Sequence, residues 1–177
     1  MTIIIEKSNE YNTYYIIIWT NRKDNNNYII ELSEGTIYVN NIDNINNGFI
    51  FNLGKFDYSK NNCGFIYTKN DEDFLISSNV GNINIWDLQN KCLYINLPLN
   101  NNNKCLLYIL EWSNKYIIIC EYYKRKINIM DINTGKIITK IKMNFGGIIY
   151  AKKFNHPIYG ESLFTSGQDN NINFWSI

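Results

Sequence analysis

Few residues in this sequence have the type and spacing that catalysis needs, and His156 is the first to consider. It is the only histidine among 177 residues, and imidazole is the side chain best suited to acid–base chemistry near neutral pH. His156 precedes Pro157 between two apolar runs, and no Ser or Cys nucleophile motif lies beside it. This setting favours a solvent-facing loop histidine over a catalytic one.

The densest acidic cluster is the run of Asp71, Glu72 and Asp73, which could hold a cation or pair two carboxylates. Its spacing fits no calcium-binding loop, and acidic residues are common in turns. We therefore interpret the run as a solvated turn between two strands. The sequence also has no phosphate-binding glycine loop and no nucleophile elbow, so it predicts a protein that is not an enzyme and needs no cofactor.

The four cysteines, Cys63, Cys92, Cys105 and Cys120, are 29, 13 and 15 residues apart and form no CxxC pair. A zinc site normally needs closer ligand pairs, and small secreted scaffolds carry cysteines more densely. All four lie in or beside apolar stretches, so we predict reduced, buried thiols and no metal site. With no signal-peptide pattern and no apolar run long enough for a membrane span, the sequence predicts a soluble protein of the cytoplasm or nucleus.

One surface segment combines residue types that are common in binding sites: Tyr122, Tyr123, Lys124 and Arg125. Tyrosine and arginine anchor many protein interfaces. Basic charge beside aromatic rings also suits contact with RNA, but a formal net charge of +1 gives the chain no general attraction to nucleic acid. We predict that this segment binds a protein partner, and a solvated basic turn is the simpler alternative.

Short apolar runs must position these residues. The runs are rich in Ile, Tyr and Phe and are separated by polar residues, for example at 14–19, 27–32, 73–78 and 116–120. Short runs of β-branched and aromatic residues are typical of strands, and no segment shows a sustained helical period. The sequence therefore predicts an all-β protein.

An internal repeat organises these strands. Four segments resemble one another, the first three without gaps and the last more weakly: 81–88, 125–132, 170–177 and 34–42. One position of the repeat is occupied in turn by Asn40, Trp86, Met130 and Trp175, at spacings of 46, 44 and 45 residues. A period near this length indicates the blades of a β-propeller, each a four-stranded antiparallel sheet.

The repeat resembles the WD-repeat family, and six positions carry the resemblance: Trp86, Asp87, Met130, Asp131, Asp169 and Trp175. Trp86 and Asp87 keep the dipeptide that commonly ends a third strand in that family, and Asp169 lies where its turn aspartate usually stands. The resemblance implies that Trp86 and Trp175 pack between blades and that each aspartate stabilises the turn of its own blade, with Met130 at the same structural position of the repeat. The family's Gly-His before the first strand is missing throughout.

We divide the chain into four predicted blades: 14–53, 63–97, 105–141 and 147–177. Residues 2–6 form a spare strand, and the fourth blade lacks an outermost one, so we predict that this strand closes the last blade and removes a free edge. Residues 1–177 are thus predicted to form one propeller domain of about four blades. A small ring, an arc completed by another chain and part of a longer protein all remain open.

The resemblance implies a binding function. Propellers of this family present loops that grip peptides or other domains, so we expect a non-catalytic WD-repeat scaffold that mediates protein–protein interaction in a multi-subunit assembly. Its partners would be proteins, with self-association or ring completion by another chain also open. The alternatives are an RNA-associated WD-repeat subunit, suggested by the basic turn alone, and a propeller enzyme, which the scattered carboxylates disfavour.

Overall fold

The computed structural model describes nine stretches of the chain: 13–33, 36–44, 48–52, 63–79, 82–98, 108–121, 125–142, 147–168 and 170–176. They contain fifteen strands: β1 (Thr13–Thr20), β2 (Asn27–Ser33), β3 (Thr36–Asn41), β4 (Phe49–Asn52), β5 (Gly64–Lys69), β6 (Glu72–Asn79), β7 (Asn82–Asp87), β8 (Cys92–Pro98), β9 (Tyr108–Glu111), β10 (Tyr116–Glu121), β11 (Lys126–Asp131), β12 (Ile137–Lys142), β13 (Ile148–His156), β14 (Gly160–Gly167) and β15 (Ile172–Ser176). The prediction of an all-β protein is confirmed. In these stretches no helix is long and apolar enough to cross a membrane.

The strands form four antiparallel sheets in chain order, which we number blades one to four. Blades one to three comprise β1–β4, β5–β8 and β9–β12, and the described part of blade four comprises β13–β15. The repeat predicted β7, β11 and β15 as equivalent third strands, and this is confirmed. The predicted strand 2–6 lies outside the described residues, so it and the extent of the domain stay predictions.

Alternation along the strands gives each blade two apolar faces. On β7, Ile83 and Ile85 point toward blade three, whereas Trp86 points toward blade one. The same alternation on the other blades builds three buried clusters, one between each pair of consecutive blades. The hydrophobic core therefore lies between the sheets.

The first strands form the inner edge of the molecule, because β1 contacts β5, β5 contacts β9 and β9 contacts β13. In each blade the antiparallel order puts the turns after the first and third strands at one end, which we call the lower end. The turns after the second strands lie at the opposite, upper end. This division decides which side chains can meet.

Candidate functional site

Short polar side chains hold the turns that follow the third strands, at the lower end. Asp87 accepts hydrogen bonds from the main-chain N–H and the side-chain amide of Asn90, at 2.8 and 2.7 Å. In blade one the equivalent residue is Asn41, whose Oδ1 accepts from the N–H groups of Asp43 and Asn44 at 2.8 and 2.9 Å. Asn41 was not predicted for this role from the sequence, although its aligned position was a sufficient signal, because an amide oxygen accepts the same bonds as a carboxylate.

Asp131 has this role in blade three. Its Oδ1 accepts from the N–H groups of Asn133 and Thr134 at 2.9 and 3.1 Å, and its Oδ2 lies 3.5 Å from Lys115 Nζ. Burial by itself raises the pKa of Asp131, but these three partners together hold that pKa below its usual value. The carboxylate is therefore committed to its own turn. Asp169 lies outside the described residues.

The two tryptophans at the repeat position each donate to a hydroxyl on the neighbouring second strand. Trp86 Nε1 donates to Ser77 Oγ at 2.9 Å, and Trp175 Nε1 donates to Thr165 Oγ1 at 2.9 Å. Trp86 is 5% exposed, whereas Trp175 is half-buried against the cluster between blades three and four. Both rings pack between blades and satisfy their one polar atom inside their own blade.

The other two blades carry different but matched pairs at these positions. In blade one, Asn40 Nδ2 donates to Glu31 Oε1 at 3.2 Å. In blade three the corresponding residues are Met130 and Ile119, and both are buried. Blade three therefore lacks both the indole donor and the hydroxyl acceptor, so the replacement leaves no buried polar atom of this pair without a hydrogen-bond partner.

Asp73 overturns the prediction of a solvated acidic turn. It is 2% exposed, and its Oδ2 accepts from the indole Nε1 of Trp19 in blade one at 3.0 Å. Its Oδ1 accepts from Thr68 Oγ1 at 2.7 Å. Only Asp71 and Glu72 are exposed, as expected for a turn. Asp73 thus joins blades one and two through a donor that lies 54 residues earlier in the chain.

Similar bonds join the later blades near the ends of their first strands. The hydroxyl of Tyr67 in blade two donates to the carbonyl oxygen of Asn114 in blade three. Lys153 Nζ in blade four donates to the carbonyl oxygen of Trp112 in blade three and lies 5.4 Å from the centre of its ring. Each pair of consecutive blades is therefore linked by at least one polar contact at the lower end.

His156 was predicted to face solvent in a loop, and this is wrong. It ends β13 and is half-buried. Its Nδ1 accepts from the main-chain N–H groups of Ile158 and Tyr159 at 3.1 and 3.2 Å, and its ring centre lies 5.3 Å from that of Phe174. The imidazole organises the turn into β14 by a local contact.

The cysteines divide into two environments. Cys63 and Cys120 are buried, as predicted, and burial raises the pKa of both thiols, so they stay protonated. Cys92 is exposed at the start of β8, which contradicts the prediction of four buried thiols, and Cys105 lies outside the described residues. Within the described stretches no three His, Cys, Asp or Glu side chains lie close enough to hold a metal ion.

Most of the predicted partner-binding segment, Tyr122, Tyr123 and Lys124, lies outside the described residues. Arg125 follows them in the turn immediately before β11, is exposed, and has a φ of 50°. Because Arg125 lies between a second strand, β10, and a third strand, β11, it is at the upper end. Its binding role remains a prediction.

A cleft that the sequence did not reveal opens at the lower end between blades two and three. Its volume is about 180 Å³, and its apolar lining includes Phe74, Ile85 and Ile132. The ring of Tyr94, 61% exposed, lies 5.2 Å from that of Phe74 and extends the apolar surface to the rim. The lining comes from strands of blade two and from the turn after β11 in blade three, so no local pattern in the sequence could predict it.

Two charged side chains stand at the rim of this cleft. Lys69 and Glu72 flank the β5–β6 turn and are exposed. Lys69 Nζ donates to Asn133 Oδ1 at 2.6 Å, which joins the two blades across the mouth. The cleft thus combines apolar side chains with polar ones, and one basic and one acidic group stand at its rim.

No family model matches the sequence, and no curated protein matches it. Solved structures do match. The crystal structure of the WD40 β-propeller domain of Doa1 is 15% identical, with a TM-score of 0.60 over 84% of this chain and 46% of that one. BBS1N, solved in complex with ARL6DN, is 11% identical, with a TM-score of 0.67 over 92% of this chain and 50% of that one. U3-55K is 9% identical, with a TM-score of 0.68 over 97% of this chain and 50% of that one.

These likenesses define the fold, which is that of a WD40-type β-propeller. The resemblance drawn from the repeat is therefore confirmed at the level of architecture. This chain spans about half the length of the solved structures that it matches.

Proposed function

We propose that this protein is a non-catalytic WD-repeat-type scaffold, which binds a protein partner within a multi-subunit assembly of the cytoplasm or nucleus. The observation that carries the proposal is the cleft between blades two and three. Asp73, Asp87, Asp131 and His156, the groups with most catalytic potential, each hold a turn or a blade boundary. Their hydrogen-bonding capacity is used by the fold, which favours binding over catalysis.

The chemistry of the cleft suits one aromatic or branched apolar side chain of a peptide segment. An apolar cavity of about 150 Å³ holds a benzene molecule, so a cleft of about 180 Å³ accepts a single ring. Phe74 and Tyr94 offer ring faces and edges to such a guest. Lys69 and Glu72 stand where charged neighbours of the inserted residue would lie, which favours a segment with charges of both signs around it.

Selection from a displayed random-peptide library on the purified chain tests this proposal. We expect enrichment of peptides with one aromatic or branched aliphatic anchor, and Tyr94→Ala should weaken their binding at least tenfold, as for an interface anchor. Leu93→Ala is the matched control, because Leu93 is 46% exposed on the same strand but does not line the cleft. Equal binding by both variants, or equal loss, would rule the cleft out as the site.

The segment of Tyr122, Tyr123, Lys124 and Arg125 is the second predicted contact. Arg125, its one described residue, is at the upper end, so we propose that a partner bound through Arg125 would not compete with a peptide in the cleft. Pull-down from native extract should lose a specific protein with Tyr123→Ala/Arg125→Ala while folding is unchanged. Loss of RNA alone, with a steep salt dependence, would instead favour the RNA-associated alternative.

A further inference from the structure

Blade four has one face that points away from blade three, which we call its outward face; the outward face of blade one is likewise the face that points away from blade two. The outward face of blade four resembles the faces that pack between blades, but among the described residues no blade lies against it. At one register position blades one to three carry Ile37, Ile83 and Ile127, all 0% exposed, and blade four carries Ile172, which is 71% exposed. Phe174 is 45% exposed at another position whose equivalents are buried in the other blades. The apolar pattern of an internal interface thus continues onto this surface.

On the outward face of blade one, too, apolar side chains are exposed at positions that are buried in other blades. Ile16, Ile18 and Ile50 are 61%, 64% and 57% exposed. In blades three and four the position of Ile16 is held by Ile109 and Ala151, which are 4% and 3% exposed. Apolar surface of this extent on a folded protein usually marks an interaction site.

Side-chain sizes fit these two faces to each other. Between blades one and two, Leu32 stands over Gly64 so closely that a Cβ added there would lie 3.0 Å from Leu32 Cδ1. The residue equivalent to Leu32 in blade four is Ser166, and the residue equivalent to Gly64 in blade one is Ile16. A blade one docked on a blade four would therefore place the larger Ile16 against the smaller Ser166.

Charges fit as well. In the same internal interface, a Cβ added to Gly64 would lie 3.5 Å from Ile17 Cδ1. The residue equivalent to Ile17 in blade four is Lys152, which is exposed. Docking would bring Lys152 beside Ile16, which pairs directly across from Glu31 on the neighbouring strand. Lys152 would thus approach the side of blade one on which Glu31 lies buried, with its Oε1 already accepting from Asn40 Nδ2 at 3.2 Å.

We infer that two copies of this chain associate, with blade four of each packed on blade one of the other, and close a single propeller with two-fold symmetry. The chain matches only 46% to 50% of the length of the solved propellers, so two copies supply about one whole propeller. Both contacts are equivalent by symmetry, and closure leaves neither apolar face exposed. The inference is independent of peptide binding in the cleft.

Light scattering on the size-separated 177-residue chain tests the inference. We expect a particle of twice 20.9 kDa. Ile172→Lys on blade four and Ile18→Lys on blade one should each give monomers with unchanged circular dichroism. Leu93→Lys, an equally drastic change at an exposed leucine of blade two, should leave the dimer intact.

An equimolar mixture of the two face variants gives the sharpest result. In a mixed dimer, blade four of the Ile18→Lys copy packs on blade one of the Ile172→Lys copy, and neither of these blades is substituted. A dimer should therefore reappear, with weaker association than the wild type because the other contact carries both lysines. A contact of blade four with another blade four would instead be unaffected by Ile18→Lys. A monomeric wild type, open polymers, or a dimer that survives both face variants would overturn the inference.

Discussion

A buried tryptophan needs a hydrogen-bond acceptor for its indole N–H, and this need explains which residue occupies the facing position in several blades. Trp86 requires an acceptor and finds Ser77, and Trp19 requires one and finds Asp73 in the next blade. The side chain of Met130 has no hydrogen-bond donor, and the position equivalent to Ser77 in its blade is occupied by the apolar Ile119. A buried donor without a partner costs about 1–3 kcal/mol, which explains why donor and acceptor change together from blade to blade.

Trp86→Ala should lower the free energy of unfolding by about 3–5 kcal/mol, as expected for a large buried side chain. The loss comes from the cavity between blades one and two and from the stranded hydroxyl of Ser77. Urea denaturation at one fixed protein concentration measures it. Tyr94→Ala serves as the exposed aromatic control, and a loss below about 1 kcal/mol for Trp86→Ala would contradict its place in the core.

At the scale of the element, irregularities in the outer strands shape the surface. Ile85 and Trp86 of β7 pair with Ile95 and Leu93 of β8. Tyr94 lies between these two partners as an extra residue of β8, which makes a β-bulge. β12 has a similar shift opposite Ile129 and Met130. A bulge re-aims side chains locally, so the bulge in β8 accounts for a tyrosine that lies over Phe74 at the cleft.

Removal of residues 1–8 tests the predicted closing strand 2–6. Within the described residues β15 pairs only with β14, so its other edge is the one that an additional strand could cover. We expect the shortened chain to lose solubility, because an uncovered sheet edge pairs readily with other chains. Substitution of residues 7–8 alone is the control. Unchanged solubility, measured after centrifugation across a concentration series, would contradict a closing role.

At the scale of the whole molecule, stability resides between blades. All three buried clusters are shared by two consecutive sheets, and none belongs to a single blade. Each blade resembles a repeat unit that buries its apolar faces only against its neighbours, so the blades depend on one another for folding.

Truncation after residue 142 should therefore damage more than the missing blade. It would expose Ile118, Cys120 and Ile127 of blade three, which are 0% exposed in the full chain. We expect strong binding of a hydrophobic dye and a lower thermal midpoint, compared with the full chain carrying Ile138→Lys at an already exposed position. A truncated chain with an unchanged midpoint would show that blades fold independently.

How far the sequence predicts this protein depends on the range of the interactions involved. The third strands β7, β11 and β15 were predictable, because the repeat and the two-residue alternation are properties of neighbouring residues. Asp87 was predictable in the same way, since its turn partner Asn90 lies three residues away. The burial of Asp73 was not, because its donor Trp19 belongs to another blade.

The strand content, the repeat and the succession of blades follow from the sequence alone, since each arises from local side-chain chemistry repeated at a fixed period. Which faces are covered depends on how the blades pack against one another. The cleft beside Tyr94 exists because two blades leave a gap at their lower ends, and the faces of Ile16 and Ile172 are exposed because no further blade lies against them in the described residues. Apolar residues look alike in the sequence whether buried or bare, because burial depends on what the fold places opposite them.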